Sequence, residues 1–499
     1  MTSLTSNIAS SSFIPRMLPD DVILEIVKAG LQYDYLASTP IPFQITMSAL
    51  CQHWRRVIIN SPTLWQNIDV VSYTDYNLDL FFERSNPALI NVSFDAMTLP
   101  RFRFQQQNYP RVLKMLKSNS DRLRTLVIRV GSSMEIHLFT EPLRGCELPN
   151  LQNLTLHCLT PECNITTHTR LLPQANGIRY LRKMGICSKC APPLVDLTCL
   201  DIHLYQPSIA EFRNLLHDCP ALATLILRNF GPSQDNSEDL ACPALIEAPS
   251  LRSLGLHFDG FHSECNCTCP LSLLVAENLE YLETDQSSVA YLQAHLGACI
   301  ESWQKHPQRR RFRFERLSMR DELLSFIESL PQPKVFEFWD VEELFDEILS
   351  VQRVVSIRNA EVIVYDISSE HMIGSSWLVD GLSSGAVIIN SPFTLLVDEQ
   401  DPNCDTYRAL FSTPRAFPCT MEFGSIRREG LLRGEDLEDP FDDTESDGSA
   451  YDDYDMSDSE YHDMEYGHDF EDDYPDFGGY DDYGDFEDDD GLEGILVAV

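Results

Sequence analysis

Leucine at alternate positions of short strands, returning every few tens of residues, dominates the pattern of this chain. From about residue 120 the phrases RLRTLVIR, NLQNLTLH, VDLTCLDIH, ALATLILR, SLRSLGLH, NLEYLETD and RFERLSMR follow one another, each close to L-x-x-L-x-L. Leu123, Leu151, Leu197, Leu222, Leu251, Leu279 and Phe314 open them, and from 197 onward the intervals are 25, 29, 28 and 35 residues. Apolar positions at period two predict strands with one buried face. The gap from 151 to 197 predicts a weakened copy at Ile178–Met184, and VFEFWD and VVSIRNAEVIVYD close the series near 367. Between strands, stretches such as Ile209–His217 carry helical periodicity and predict returning helices.

The N-terminal part has a different period. Pro19 suits the first position of a helix, where its missing N–H costs nothing, and Asp20 and Asp21 favour the positive end of the helix dipole. Val22, Ile23, Ile26 and Val27 form one apolar stripe, and Met47, Leu50, Cys51, Trp54, Val57 and Ile58 form a second. Ser61-Pro62 stops the second helix, and Leu64-Trp65 follows as a bulky anchor. About fifty residues build little core alone, so stripes this apolar predict a partner. Downstream, LDLFFERSNPALINVSF (78–94) reads as a helix leading into a strand.

Leu18-Pro19, the centre Cys51-x-x-Trp54-Arg55 and the close Ser61-Pro62-x-Leu64-Trp65 together resemble the F-box. The stretch Gln32–Gln44, with Pro40 and Pro42, is longer than the usual pattern. Glu83-Arg84-Ser85 before the prolyl turn resembles the connector that follows the F-box in fungal members of that family. The resemblance implies a module that docks on a Skp-type adaptor, and through it a cullin, by way of Leu18, Pro19, Ile23, Ile26, Leu50, Cys51, Trp54, Leu64 and Trp65. A period of about 20–29 residues with the L-x-x-L-x-L phrase marks a leucine-rich repeat, in which each unit buries its apolar face only by stacking on its neighbours. The expected fold is therefore α/β. A three-helix F-box-like module precedes an irregular leucine-rich-repeat solenoid with a curved parallel sheet, and a disordered acidic tail follows. The boundaries read 1–15 disordered, 16–70 module, 71–119 connector, 120–367 repeat array, 368–432 cap or small unit, and 433–499 tail. An ordinary helical hairpin and an ordinary α/β domain with leucine-rich strands are the plain alternatives.

Charge separates the tail from the rest. The chain of 499 residues carries a formal net charge of −40. From Glu435 to Glu493 there are 28 acidic residues and no Lys or Arg, which leaves 37 basic against 49 acidic residues elsewhere, a net −12. Alternating acids with Tyr and Phe, and lacking aliphatics, the tail predicts disorder. It reads first as a solvating segment. Thr444, Ser449 and Ser457, each with an acid three residues on, suit an acidophilic kinase, and a fold-back of the tail onto basic residues is a further reading. So acidic a chain argues against nucleic acid as its main ligand. No apolar run reaches eighteen residues, so no transmembrane helix is expected, and MTSLTSNIASSSFIP lacks the charge and apolar core of a signal peptide. With 15 cysteines read as reduced thiols, the expected location is cytoplasmic or nuclear.

Strand parity yields a candidate recognition row. If the phrase leucines point into the core, the position just after each L-x-L faces outward: Arg129, His157, His203, Arg228, His257, Asp285 and Arg320 in order. Neighbouring strands stand about 4.8 Å apart, so these side chains would form one stripe. The plain reading is that solvent-facing positions are polar anyway. The sharper one is a groove on the concave face that takes an acidic or phosphorylated segment of a target protein, with the histidines adding pH dependence.

Signals for other chemistry are weak. Cys187-x-x-Cys190 and Cys265-x-Cys267-x-Cys269, with His262 before the latter, lack a second ligand pair at zinc spacing, so no metal or other cofactor is expected. Gly381-x-Ser383-x-Gly385 precedes AVIIN, which reads as a strand where a nucleophile elbow needs a helix. Arg309-Arg310-Arg311-Phe312-Arg313 reads as entry into a strand before it reads as a nuclear-localisation patch. The chain does not read as an enzyme. The expected function is substrate recognition within a Skp–cullin–F-box type ubiquitin ligase. The rival is a leucine-rich-repeat scaffold with a vestigial F-box, and a third reading is an acidic, chaperone-like protein acting through its tail.

Overall fold

The computed structural model describes residues 18–34, 42–71, 75–96, 109–160, 170–185, 191–203, 207–229, 244–257, 269–285, 289–305, 310–315, 330, 333–339, 355–357, 361–366, 387–389, 393–398, 419–424 and 431–432. The chain falls into two units, 1–436 and 437–499, and every described residue belongs to the first. The expected N-terminal disorder at 1–15, most of the Gln32–Gln44 stretch, and the acidic tail with Thr444, Ser449 and Ser457 lie outside the described residues.

Three helices open the fold: α1 (Asp20–Asp34), α2 (Phe43–Ser48) and α3 (Gln52–Ile59). The expected single stripe from Met47 to Ile58 is split between α2 and α3, because Cys51 is extended at φ −160° and interrupts the helix. The helix α3 ends as expected before Ser61-Pro62, and Pro62–Trp65 forms a 3-10 turn. Trp65 is fully buried there; its Nε1 donates to the Ile58 carbonyl at 3.0 Å. Part of the module's apolar surface is covered by the chain itself. Helix α4 (Asp75–Arg84) lays Phe81 edge-on to Trp65 at 5.1 Å and the Arg84 guanidinium 4.5 Å over the same ring. The end of α4 is held by Arg122, which donates to the carbonyls of Phe82 (3.2 Å) and Ala88 (2.9 Å).

Fourteen strands form one sheet: β1 (Asn67–Asp69), β2 (Ile90–Asp95), β3 (Leu123–Ser132), β4 (Asn153–Thr160), β5 (Tyr180–Met184), β6 (Cys199–His203), β7 (Thr224–Arg228), then β9 (Ser253–His257), β11 (Tyr281–Asp285), β12 (Arg310–Glu315), β13 (Pro333–Trp339), β15 (Glu361–Asp366), β17 (Phe393–Asp398) and β18 (Cys419–Gly424). Their order in the sheet is their order in the chain, and every neighbouring pair is parallel. Two short parallel pairs stand apart, β8 (Ile246–Glu247) with β10 (Leu274–Val275), and β14 (Val355–Ile357) with β16 (Val387–Ile389). Parallel neighbours require a crossover between strands. Helices α5 (Tyr109–Ser118), α6 (Ser133–Thr140), α7 (Ile209–Asp218) and α8 (Val289–Lys305) lie in such crossovers. A capping box of Ser208 and Glu211 opens α7 at the expected place.

The weakened copy expected at Ile178–Met184 is strand β5, between β4 and β6. The sheet is longer than the expected 120–367 at both ends. β1 and β2 extend it into the module and connector, and β17 and β18, from the runs FTLLV and CTMEF, extend it through 424. One face carries the core. Leu126, Leu154, Leu181, Leu200, Leu225, Leu254 and Leu282 stand in register across adjacent strands, all buried. Each such side chain contributes about 2 kcal/mol by leaving water. From β12 the row continues as Phe312 and Phe336, stacked at 5.5 Å. The phrase-opening leucines are also buried, and each closes a tight turn before its strand. The amides of Leu151, Leu197, Leu222, Leu251 and Leu279 donate to the carbonyls of Leu148, Leu194, Cys219, Ala248 and Ala276 at 3.1–3.2 Å.

Candidate functional site

Two surfaces answer to the sequence candidates. The first is the outer side of the helical module. Stripe residues Ile23 and Val27 of α1 enter the core, whereas Val22 and Ile26 are each 38% exposed. Val22, Ile26 and Ala29, with Asp21 and Glu25, line a shallow groove of about 400 Å³. Leu50, on the link into α3, is 55% exposed, and His53 Nε2 of α3 lies 3.2 Å from Asp20 at the start of α1. Pro19 is exposed, and Leu18 and Cys51 are partly buried against the core. Four of the expected contact residues need correction. Ile23, Trp54, Leu64 and Trp65 are buried inside the chain, where they build the module and leave the outward contacts to their neighbours.

The second surface is the sheet face opposite the core. Backbone register aligns Arg129, His157, Met184, His203, Arg228, His257 and Asp285 in one row from β3 to β11, so the expected stripe exists as a stripe. Two details differ. In β12 the row position is Glu315; the phrase RFERLSMR was read five residues too late, and Arg320 lies outside the described residues. The row also begins with Asp95 of β2, opposite Arg129.

Paired charges change what this row can do. Arg129 Nη1 meets Asp95 Oδ2 at 3.1 Å, Arg228 Nε meets Asp201 Oδ1 at 3.1 Å, and His257 Nδ1 meets Asp285 Oδ2 at 2.9 Å. Asp201 also receives Arg182 Nε at 3.3 Å. The acids offset the positive potential that an acidic or phosphorylated ligand would need, so the row is not an open cationic groove. Nor does His203 supply a switch. Burial first, and then the Arg228 and Arg182 guanidiniums, hold its pKa down at about 2. Arg182 Nη2, a donor only, lies 3.3 Å from His203 Nε2, which must therefore accept, leaving the ring neutral with its proton on Nδ1.

A second row, two residues earlier on each strand, was missed. Arg182, Asp201, Glu283, Arg313 and Glu337 occupy the position between the two core-facing residues of β5, β6, β11, β12 and β13, and all are buried. Glu283 and Arg313 approach to 3.5 Å, Tyr281 Oη donates to Glu283 at 2.9 Å, and Arg311 pairs with Glu337. The sequence signal was a charge placed inside phrases such as YLRKM, CLDIH and YLETD. The row carries an unexpected occupant. Arg228 donates through Nη2 to the Leu431 carbonyl at 3.2 Å and through Nη1 to the Leu432 carbonyl, while the Leu431 amide donates to Glu283 Oε2 at 2.6 Å.

The basic run at 309–313 is structural where described. Arg310 is buried over Trp303 at 5.4 Å and donates to the Glu277 carbonyl at 3.0 Å, and Arg313 faces Glu283. Cys187, Cys190, His262, Cys265 and Cys267 lie outside the described residues, and Cys269 is buried. Among the described residues, no three potential ligands gather as a metal would require. Burial pushes the thiols of Cys199, Cys219 and Cys299 up to about 12, so they stay protonated at neutral pH. No described helix is long and apolar enough to cross a membrane. Comparison of the chain with protein-family models, curated proteins and solved structures gives no match.

Proposed function

We propose that this chain is a substrate-recruiting subunit of a Skp–cullin–F-box type ubiquitin ligase. It would hold a Skp-type adaptor with its N-terminal helices and a protein target with its sheet. The observation that carries the reading is the outward apolar surface of Val22, Ile26 and Leu50 on a module whose sequence resembles the F-box. Exposed aliphatics on a compact helical unit suit an interface more than a solvated face. Parallel strands in strict chain order support a leucine-rich-repeat reading of the sheet, since each unit then packs only on its neighbours. Bond-forming chemistry would belong to other subunits, and this chain would contribute proximity.

Capture of a co-expressed Skp-type adaptor by the full chain, beside a Val22→Asp/Ile26→Asp variant, tests this. Capture by the parent and not by the variant supports the reading; no capture by folded parent protein contradicts it. One observation favours the rival. The module's core runs into that of the sheet through Trp65 and Phe81, as it would in a scaffold whose F-box-like segment serves only as its N-terminal end. A scaffold of that kind would show no adaptor binding and no dependence on Val22 or Ile26.

A further inference from the structure

The residues Leu431 and Leu432 sit on the polar face of the sheet, held chiefly through their main chain. Arg228 donates to both of their carbonyls, and Glu283 accepts from the Leu431 amide. Between these two charges, in register with Glu283 on the neighbouring strand, lies Gly255. A Cβ at Gly255 would stand 3.2 Å from Leu432 Cδ2 and 3.4 Å from Leu431 Cβ, so the missing side chain makes room for the leucine pair. Leu432 is buried there.

The cradle's charged groups also make contacts with the sheet itself. Asp201 pairs with Arg228 Nε at 3.1 Å, Tyr281 donates to the same Glu283 Oε2 that accepts from Leu431, and Arg313 Nε lies 3.5 Å from Glu283 Oε1. One cation aimed at carbonyls and one carboxylate aimed at an amide read peptide backbone, while the glycine floor reads apolar side chains. None of this depends on residues particular to the 431–432 segment beyond the two leucines.

We propose that Arg228, Gly255 and Glu283 form a receptor for a short extended peptide bearing adjacent leucines. Leu431–Leu432 occupy it in cis, and a target segment of the same chemistry displaces them. This deepens the target-recruiting half of the proposed function and rests on nothing in the adaptor half. A tethered occupant acts at high effective concentration, so an external peptide binds well only when the internal one is weakened.

The test is fluorescence anisotropy with a labelled peptide of sequence IRREGLLRGE, residues 426–435, titrated with the full chain in the absence of any adaptor. A Leu431→Asp/Leu432→Asp chain is expected to bind the peptide about ten-fold more tightly than the parent. Adding Gly255→Val should abolish that binding, as should a peptide with both leucines changed to Asp. Equal binding by parent and double variant, no binding by a folded double variant, or indifference to Gly255→Val would each overturn the proposal. A second readout needs no variant. Excess unlabelled peptide should speed tryptic cleavage of the parent chain at Arg428 and Arg433, and an unchanged cleavage rate would also overturn it.

Discussion

Arg228 Nη2 donates to the carbonyl of Leu431 at 3.2 Å, across 203 residues of sequence. The same guanidinium turns its Nε to Asp201, which also receives Arg182. Asp201 is therefore a buried carboxylate shared by two guanidiniums, the buried Arg182 and the partly buried Arg228. Replacing it with Asn keeps the shape and removes the charge, leaving Arg182 and Arg228 uncompensated. Asp201→Asn is expected to cost about 3 kcal/mol, read as a lower urea midpoint at pH 7.5. A change within error would mean that solvent or other groups already satisfy the two arginines.

Acid should weaken the fold through His203. Its native pKa, about 2, lies below the ordinary histidine value of 6.5, so between those values the unfolded chain takes up a proton that the native chain refuses. Stability from this residue is full above pH 6.5 and falls as the pH drops toward 2, by about 2 kcal/mol at pH 5. Buried His295, held down at about 4, adds a loss of the same sign between 6.5 and 4. Urea midpoints at pH 7.5 and pH 5 should therefore separate less in His203→Gln than in the parent, and an equal separation would remove His203 from the account.

Trp65 joins the helical module to the sheet. Trp65→Ala removes a buried ring, its hydrogen bond to Ile58 and its contacts with Phe81 and Arg84, at an expected cost of about 3–5 kcal/mol. Because one core spans both parts, the thermal transition should shift as a whole. A separate early transition confined to the module would show that the two parts unfold independently.

Gly185 ends β5 with φ +67°, and a Cβ there would stand 2.3 Å from the Cys158 carbonyl oxygen. Gly185→Ala is expected to cost about 1–3 kcal/mol, measurable by urea denaturation. Gly145, where a Cβ meets nothing within 4 Å, is the matched control, and Gly145→Ala should leave the midpoint nearly unchanged.

Much of the fold was legible because period-two leucines survive even in degenerate phrases. The strand at Tyr180–Met184 followed from a gap in spacing, and the row from Arg129 to His257 followed from parity alone. What parity does not report is the cross-strand neighbour. Whether Arg228 is a free cation or a paired one depends on Asp201, which sits 27 residues away and two positions out of phase. The stripe Val22, Ile23, Ile26, Val27 was legible as apolar, yet only three-dimensional packing sends Ile23 and Val27 inward and leaves Val22 and Ile26 outside. The break at Cys51 escaped because its residue type carries no stop signal, unlike Pro62. The contact of Leu431 with Arg228 and Glu283 had no local signature at all, since neither leucine belongs to a phrase.

The most direct measurement is the affinity of the purified full chain for a purified Skp-type adaptor by calorimetry, with Val22→Asp/Ile26→Asp and Glu280→Lys chains beside it. Glu280 is exposed, on the approach to β11 and outside the module. The account predicts one-to-one binding with Kd of about 1 µM or tighter, lost in the double variant and retained in Glu280→Lys. A folded parent chain that gives no binding heat at any adaptor concentration, and no co-elution with it, would contradict the ligase reading and leave the chain as a scaffold.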